Sequence, residues 1–364
     1  MPKGKKILVA VLNWGLGHAS RCIPLVRELQ AQGADVFLAS DGRALDLLKQ
    51  EFPDLPAFEL PAYHVRYHSH NMAWNMATQA HKILRAIYLE KKAVEKLVLA
   101  HGIQGIISDN RFGCRSREVP SVFITHQINL LVPFSPLEKI ARAINRHFIN
   151  AFDECWVPDV AGEPNLSGKL SHGLGKTAFR LRYIGCPSRM ELFETAKKYD
   201  AIAVLSGPEP QRTAFENAIL GQAKKLPQRF LIVQGRTERK ERFFIGENIE
   251  LVSCLSSREL NQAILASRFY IGRCGYSTVM DLAKLGMPAL LVPTPGQTEQ
   301  EYLAGKLAGE GMFLAQGQGE LDIAPALRGH FAGQVPDIFG SNAEAIKALK
   351  DLLHHTPPSL EPGV

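Results

Sequence analysis

Short apolar segments alternate with helical stretches along most of the chain, and this alternation limits the folds it can adopt. Runs such as "KILVAVL" and "DVFLAS" are each followed by a segment with helical spacing, and a second series begins near "AIAVLSG". Such alternation is typical of a parallel sheet wound with helices. The sequence therefore predicts an α/β protein with two doubly wound, Rossmann-like domains facing each other across a cleft, with ligands at the carboxyl ends of the strands.

The segment "YIGCPSRMELF" separates the two series, and its glycine and proline are typical of a linker. We expect a first domain over residues 1–185 and a second over residues 186–340. Residues 341–364 are expected to form a C-terminal helix that packs back on the first domain and ends in a frayed, proline-rich tail.

Composition excludes several classes of protein. With 46% hydrophobic and 21% charged residues, the 364-residue chain has an ordinary globular composition. Six cysteines without CxxC spacing argue against a zinc site or a disulfide framework and favour a reducing cytoplasm. No apolar run approaches the roughly 18 residues of a membrane span. The net charge of +6 suits an anionic substrate, an anionic membrane surface or nucleic acid, and does not distinguish them.

The stretch "VLNWGLGHASR" places Gly15, Gly17 and His18 between a strand and a helix. It is an incomplete GxGxxG fingerprint, because Ser20 stands where the third glycine belongs, although Asp41 follows the next strand at about the distance of a ribose contact. The loop alone fits a dinucleotide site, a turn that presents His18 at a helix N-terminus, or a tight turn with a solvated histidine.

The second half carries a strand, a turn and a helix in "RFYIGRCGYSTVMDLAKLG". The helix is predicted to stop at Gly286, and its first turn can bind a pyrophosphate near Gly275 and Ser277. Asp281 lies within it, where a ribose could be held. The loop after the next strand carries Gln297, Glu299, Gln300 and Glu301, which suit sugar hydroxyls, although a solvated loop would be equally polar.

These residues, in this order, resemble the nucleotide-sugar-dependent glycosyltransferases of the GT-B fold, specifically the MurG-like class, whose relatives include monogalactosyldiacylglycerol synthases. In that class an R-x-G turn leads into a helix whose acidic residue holds the ribose, and a later P-x(n)-Q segment binds the donor sugar. The matching positions are Arg273, Gly275, Asp281, Pro293 and Gln300. This chain departs from the class in having aspartate instead of glutamate at Asp281, and Glu301 instead of a second glutamine.

The resemblance also covers the first half. "GLGH" is similar to the G-x-G-G-H loop of the class, "YIGCPSR" to its interdomain linker, and "LSGPEPQR" lies where its donor-phosphate loop is found. It implies that the second domain binds a UDP-sugar and the first domain binds the acceptor, with the uridine base near Cys254 and Leu255. The implied donor contacts are Gly207, Arg212, Leu255, Arg273, Gly275, Ser277, Asp281, Gln300 and Glu301.

With the nucleotide assigned to the second domain, the glycine-rich loop belongs to the acceptor site. Inverting transfer needs a base for the acceptor hydroxyl, and an imidazole can accept a proton near neutral pH. His18 is the candidate base; Asp109 is either the base itself, a group that orients His18, or a helix cap. Gly15, Gly17 and His126 are the candidate acceptor contacts, with a structural role for His126 as the alternative.

The chain contains no D-x-D pair. Helix N-termini and Arg273, helped by Arg212 or Arg236, are therefore expected to neutralise the leaving diphosphate, without a metal ion or any cofactor beyond the UDP-sugar donor.

Residues 136–148 have the pattern of an amphipathic helix. Such a helix can lie on an anionic bilayer or pack its apolar face on the domain. We expect a cytoplasmic enzyme of the cell envelope, peripheral on the inner face of the membrane if the acceptor is lipid-linked, with no nucleic-acid partner. A UDP-sugar 2-epimerase and a non-catalytic nucleotide-sugar-binding protein are the competing interpretations.

Overall fold

The computed structural model describes residues 4–63, 79–132, 135–236, 241–329 and 335–354, and it divides into two compact units. Unit one comprises Met1–Ser188 and Ser341–Val364, and unit two comprises Arg189–Gly340. Each unit is built on its own sheet flanked by helices, which confirms the predicted α/β class.

Unit one contains a parallel sheet. Its strands are β1 Lys6–Val11, β2 Asp35–Ser40, β3 Ala57–Glu59, β4 Gly105–Asp109, β5 Ser121–Ile124, β6 Glu154–Val157 and β7 Arg180–Tyr183. They pair in the order β3-β2-β1-β4-β5-β6-β7. Its helices are α1 Leu16–Ala31, α2 Gly42–Glu51, α3 Ala80–His101, α4 Ser135–Ile149 and the last helix of the chain, α10 Ala343–His354.

The core of unit one explains why these segments pack as they do. Strand β1 is buried along almost its whole length, as expected for a central strand covered on both faces. Helix α1 packs its apolar side, including Ile23, Val26 and Leu29, on one face of the sheet. Helix α10 adds Ala348 and Leu349 to the same core, so the C-terminal segment belongs structurally to unit one.

Unit two repeats the architecture. Its strands are β8 Tyr199–Val204, β9 Phe230–Val233, β10 Arg242–Ile245, β11 Ile249–Val252, β12 Ser267–Gly272, β13 Ala289–Leu291 and β14 Leu314–Ala315. They pair in the order β10-β11-β9-β8-β12-β13-β14, parallel except for the β10–β11 pair. Its helices are α5 Gln211–Ala223, α6 Ser257–Leu265, α7 Tyr276–Leu285, α8 Thr298–Gly309 and α9 Ile323–Arg328.

Both sheets reverse their strand order at the centre. Strand β1 lies between β2 and β4, and β8 lies between β9 and β12. Connections diverge at such a point and leave a crevice outside the carboxyl ends of the strands, where ligands bind in open α/β sheets. The loops that follow β1, β4 and β5 in unit one, and β8, β12 and β13 in unit two, occupy this edge of their respective sheets.

The cysteines and the helices bear on disulfide bonds and membrane spans, respectively. All six cysteines are free thiols, as their spacing predicts. Across the described ranges, no helix is both long and apolar enough to cross a membrane.

Candidate active site and donor-binding loops

The glycine-rich loop brings His18 to the carboxyl end of β1. Gly15 has a φ of 83°, a conformation that L side chains rarely adopt, and α1 begins at the next residue. Gly17 and His18 therefore lie in the first helical turn, with only Gly15 in the turn before it. The Nδ1 atom of His18 lies 2.6 Å from Oδ1 of Asp109, the last residue of β4. Strands β1 and β4 are neighbours in register, which places the two side chains together.

Asp109 is fully buried and ionised. Burial alone would raise the pKa of its carboxyl group, but the charge of Arg21 and the hydrogen bonds from Arg21 and His18 hold that pKa well below the usual range. Arg21 donates from Nη2 to Oδ1 over 2.7 Å and from Nε to Oδ2, which Cys22 also approaches. A carboxylate with such a low pKa and so many donors is a poor base, so Asp109 fits the orienting role.

The pairing with Asp109 fixes the proton on the His18 ring. An ionised carboxylate can only accept hydrogen bonds, so Nδ1 of His18 must carry the hydrogen. The neutral ring then has its lone pair on Nε2. The His18 side chain is 16% exposed, in contrast to the fully buried Asp109. His18 thus combines a fixed tautomer with access to solvent, the arrangement that a general base requires.

His126 belongs to the same cluster, although it follows a different strand. It comes two residues after β5, is 7% exposed, and its Nδ1 atom lies 3.0 Å from Nη1 of Arg21. Sequence reasoning identified His18, Asp109 and His126 separately but missed Arg21, which contacts all three. The available signal was its spacing: a residue three positions after His18 lies on the same side of α1.

Asp41, considered as a ribose contact in the dinucleotide interpretation, is held in a buried ionic cluster. Its Oδ1 atom accepts from Arg111 over 2.6 Å and its Oδ2 atom from Asn13 over 3.0 Å. Arg111 is fully buried and also pairs with Glu90, whose carboxylate accepts from the hydroxyl of Tyr63. This cluster braces the end of β1, because Arg111 also donates to the carbonyl of Val11. Asp41 therefore has a structural partner for each carboxylate oxygen.

In unit two, the loop after β8 contains Gly207, whose φ of 105° requires glycine. Arg212 follows in the first turn of α5 but is held by carboxylates. It donates from Nε to Glu209 over 2.8 Å and from Nη1 to Glu216 over 2.8 Å. Two neighbouring carboxylates thus hold the guanidinium group of Arg212, and its expected phosphate contact stays a prediction. Arg236 lies 3.5 Å from Glu216 as well.

Arg273 is buried and makes several contacts with the loops around it. Arg273 is 2% exposed, and its guanidinium carbon lies 4.3 Å from the centroid of the Phe215 ring. Its Nη atoms donate to the carbonyls of Gln211, Val292 and Pro293 and to the side chain of Gln318. Burial lowers the pKa of Arg273 to about 10. Its contacts connect the start of α5, the segment after β13 and the 3-10 turn at Gln318, so Arg273 holds three loops together. Its expected contact with the diphosphate stays a prediction.

Helix α7 presents the remaining ribose and phosphate candidates. Gly275 is its N-cap residue and Gly286, with a φ of 57°, ends it as predicted. Ser277 and Asp281 are both half-buried and lie four residues apart, on the same side of the helix. Ser277 and Asp281 therefore share one side of α7, whose first-turn amides point out of its N-terminal end.

The polar residues that follow β13 brace their own loop. Gln300 accepts from the amide of Thr294 over 2.8 Å and donates to Gln297 over 2.5 Å. Glu301 accepts from the amide of Gly296 over 2.9 Å. These bonds orient the loop. Leu255 is half-buried and follows β11, directly before α6.

Comparison with known proteins connects these loops to a family. Residues 201–324 match the Glycosyltransferase family 28 C-terminal domain. The chain is 25% identical to the UDP-N-acetylglucosamine–N-acetylmuramyl-(pentapeptide) pyrophosphoryl-undecaprenol N-acetylglucosamine transferase of Histophilus somni, over 88% of this chain and 87% of that protein. Residues 201–324 therefore carry a glycosyltransferase family 28 C-terminal domain, and the chain as a whole is similar to glycosyltransferases that include a MurG-type enzyme.

Other similarities agree with a glycosyltransferase of the GT-B fold. The chain is 26% identical to an uncharacterized glycosyltransferase of Methanosarcina acetivorans, over 84% of this chain and 82% of the relative. The calicheamicin glycosyltransferase CalG4 superposes with a TM-score of 0.66 at 13% identity, covering 98% of this chain and 100% of the other. The spinosyn rhamnosyltransferase SpnG complexed with thymidine diphosphate gives 0.58 at 15% identity, covering 96% of each chain. The structural similarities establish the fold.

Proposed function

We propose that this glycosyltransferase moves a hexose or N-acetylhexosamine from a UDP-sugar to a hydroxyl acceptor, with inversion at the anomeric carbon. The observation that carries the proposal is the His18–Asp109 pair, which is oriented, buried on one side and accessible on the other. His18 Nε2 accepts the proton of the acceptor hydroxyl, whose oxygen forms the new bond to the anomeric carbon. The bond from that carbon to the diphosphate oxygen breaks, and UDP leaves with its electron pair.

The donor is assigned to unit two. The family 28 domain match covers residues 201–324, which include Gly207, Leu255, Gly275, Asp281 and Gln300. We assign the pyrophosphate to the first-turn amides of α7, the ribose to Asp281, and the sugar to Gln300 and Glu301. Support for uridine comes from the name of the Histophilus relative, while a structural neighbour binds thymidine diphosphate. The identity of the nucleobase is therefore tested by comparing UDP-sugars with TDP-sugars.

The acceptor is assigned to unit one, near Gly15, Gly17 and His126, and is either lipid-linked or a polysaccharide. The exposed surface of α4 supports the lipid-linked case. Leu137, Ile140 and Ile144 are each about half exposed, whereas Asn145 and Ile149 of the same helix are buried. The apolar stripe thus points away from the core of unit one. A peripheral contact with the cytoplasmic face of a membrane follows from this proposal.

We further propose that transfer needs neither a metal ion nor a cofactor. The sequence has no D-x-D pair, and in the part of the chain that the structure describes no three His, Cys, Asp or Glu side chains are grouped closely enough to hold a metal ion. The helix N-terminus at Gly275 and the basic residues around the donor loops then oppose the charge of the diphosphate. Turnover in the presence of EDTA tests this part; strict dependence on added magnesium or manganese would contradict it.

Incubation of the full chain with a panel of UDP- and TDP-sugars, with and without candidate hydroxyl acceptors, tests the function. We expect one nucleotide diphosphate to be released in proportion to acceptor added, and a product with the inverted anomeric bond. Conversion of the UDP-sugar to its 2-epimer without acceptor would identify an epimerase instead. Donor binding without turnover on any acceptor would identify a non-catalytic binding protein.

A further inference from the structure

Arg21 contacts Asp109, His18 and His126, and its own side chain is buried. It is 3% exposed, and its position in α1 places it on the same side of the helix as His18. Its guanidinium group donates twice to Asp109, and its Nη1 and Nη2 atoms each lie 3.0 Å from an Nδ1 atom, that of His126 and that of His18 respectively. One buried side chain therefore links α1, β4 and the segment after β5.

The chemistry of guanidinium fixes the state of the His126 ring. Guanidinium has donors but no acceptor, so the Nδ1 atom of His126 can bond to Nη1 of Arg21 only through its lone pair. A neutral ring with a lone pair on Nδ1 carries its hydrogen on Nε2. His126 is therefore an Nε2–H tautomer and offers a hydrogen-bond donor at that nitrogen.

At His18 the same arginine competes with Asp109 for Nδ1, and the carboxylate prevails. The Nδ1 atom is 2.6 Å from Asp109 Oδ1 and 3.0 Å from Arg21 Nη2. Two lone pairs facing each other at 2.6 Å between an ionised carboxylate and an unprotonated nitrogen would repel, whereas an Nδ1–H donor forms a short charge-assisted bond. Arg21 Nη2 has its own acceptor in Asp109 Oδ1, at 2.7 Å. His18 is therefore the Nδ1–H tautomer, the opposite of His126.

We propose that Arg21 is a positioning residue that imposes opposite tautomers on the two histidines. It holds Asp109 ionised and oriented, which leaves His18 Nε2 unprotonated, and it makes His126 Nε2 a hydrogen-bond donor. The consequence for catalysis rests on the proposed function: His18 is the one base of the pair, because a protonated Nε2 prevents His126 from taking the proton of the acceptor hydroxyl.

Nitrogen-15 NMR of the uniformly labelled full chain tests the assignment directly, because two-bond proton–nitrogen correlations distinguish the two neutral tautomers of histidine. The spectra are recorded at mildly alkaline pH, and His18→Gln and His126→Gln identify the two rings. We expect an Nδ1–H pattern for His18 and an Nε2–H pattern for His126. The same tautomer on both rings, or the reverse assignment, would overturn the inference.

The role of Arg21 is tested by Arg21→Met, with Arg27→Met as the matched control in the same helix, where Arg27 pairs with Glu51 near the surface. We expect His126 to become a mixture of tautomers in Arg21→Met and to remain unchanged in Arg27→Met. An unchanged His126 in folded Arg21→Met would exclude Arg21 as the determinant. If Arg21→Met does not fold, Arg21→Lys is used, because it keeps the positive charge. A single ammonium group cannot donate to Asp109 and His126 with the geometry of a guanidinium group, so we expect the His126 tautomers to mix there as well. A pure Nε2–H pattern in Arg21→Lys would then count against the inference.

These spectra need neither donor nor acceptor, so they separate this inference from the proposed function. Opposite tautomers in a protein that turns over no nucleotide sugar would contradict the function alone. Identical tautomers in an active transferase would contradict the positioning role alone.

Discussion

Asp109 accepts a hydrogen bond from Nδ1 of His18 at 2.6 Å, although 91 residues separate the two along the chain. The contact exists because β1 and β4 pair in register, so that Val11 lies beside Asp109 and the helix that follows β1 starts above the end of β4. A buried carboxylate in this position orients the imidazole and stabilises the cation that forms when the imidazole takes a proton. The predictions below test this arrangement and the donor loops.

The first prediction concerns Asp109 and pH. Its pKa in the folded state is held below that of an unfolded aspartate, so the ionised carboxylate stabilises the fold above the ordinary aspartate pKa, and this stabilisation is lost as pH falls below about 4. Asp109→Asn removes the ionic partner of buried Arg21 and should lower the free energy of unfolding at neutral pH by about 3 to 5 kcal/mol. The variant should also lose less stability than wild type on acidification.

Urea unfolding of unit one at neutral and acid pH measures both effects. Asp54→Asn, at an exposed position of unit one, is the control and should behave as wild type. If Asp109→Asn and wild type lose equal stability on acidification, ionisation of Asp109 is not the source of the pH dependence of the free energy of unfolding.

The second prediction concerns the ribose. Asp281→Ala should weaken UDP binding by about 1 to 3 kcal/mol, the range for a hydrogen bond that involves a charged group. Asp281 lies on the same side of α7 as Ser277, close to the helix N-terminus that should hold the pyrophosphate. Calorimetric titration with UDP measures the change, with Asp54→Ala as the control. Unchanged affinity in folded Asp281→Ala would remove Asp281 from the donor site.

The third prediction separates two roles for Arg273. Because its guanidinium group satisfies backbone carbonyls from separate loops, Arg273→Lys should leave some of them without a donor and destabilise unit two by about 1 to 3 kcal/mol for each buried carbonyl left unpaired. UDP affinity should fall as a consequence of loop disorder. Arg268→Lys, whose side chain is largely exposed, is the control. Undiminished stability with weaker UDP binding would indicate that Arg273 contacts phosphate directly.

The fourth prediction concerns the exposed face of α4. Replacing Ile140 and Ile144 with serine should reduce binding to vesicles of anionic lipid by at least tenfold, since each fully inserted aliphatic side chain contributes about 1.5 to 3 kcal/mol. Stability should hardly change because both side chains are exposed. Leu99→Ser, at an 82% exposed position of α3, is the matched control. Equal vesicle binding by both variants would contradict a membrane contact through α4.

Sequence patterns were sufficient for the fold because they act locally. Strand–helix alternation indicated both sheets, and Gly286 marked the end of α7 because a left-handed C-cap favours glycine. The candidate base and its aspartate could also be chosen, since residues at the ends of adjacent parallel strands meet. The ion pairs of Arg212 also have a local signal, because Glu209 and Glu216 lie three and four residues away, which is pairing distance on a helix.

Other features have no local signature. The buried pairs of Arg21 with Asp109 and of Arg111 with Asp41 join residues 88 and 70 positions apart, and nothing near either arginine identifies its partner. In α4 the periodicity showed an apolar stripe but not its direction. Asn145 turns inward because it donates to the carbonyls of Gln127 and Ile128, and this leaves Ile140 and Ile144 outside.

Turnover per folded molecule of His18→Ala, at saturating donor and acceptor, tests whether His18 is the general base. Loss of a positioned base should lower this rate by about 10²- to 10⁴-fold and leave UDP affinity nearly unchanged, because the proposed donor contacts lie in unit two. His354→Ala, at an exposed position at the end of α10, should match wild type in both measurements. A rate for His18→Ala close to that of wild type would contradict the account and remove His18 from the mechanism.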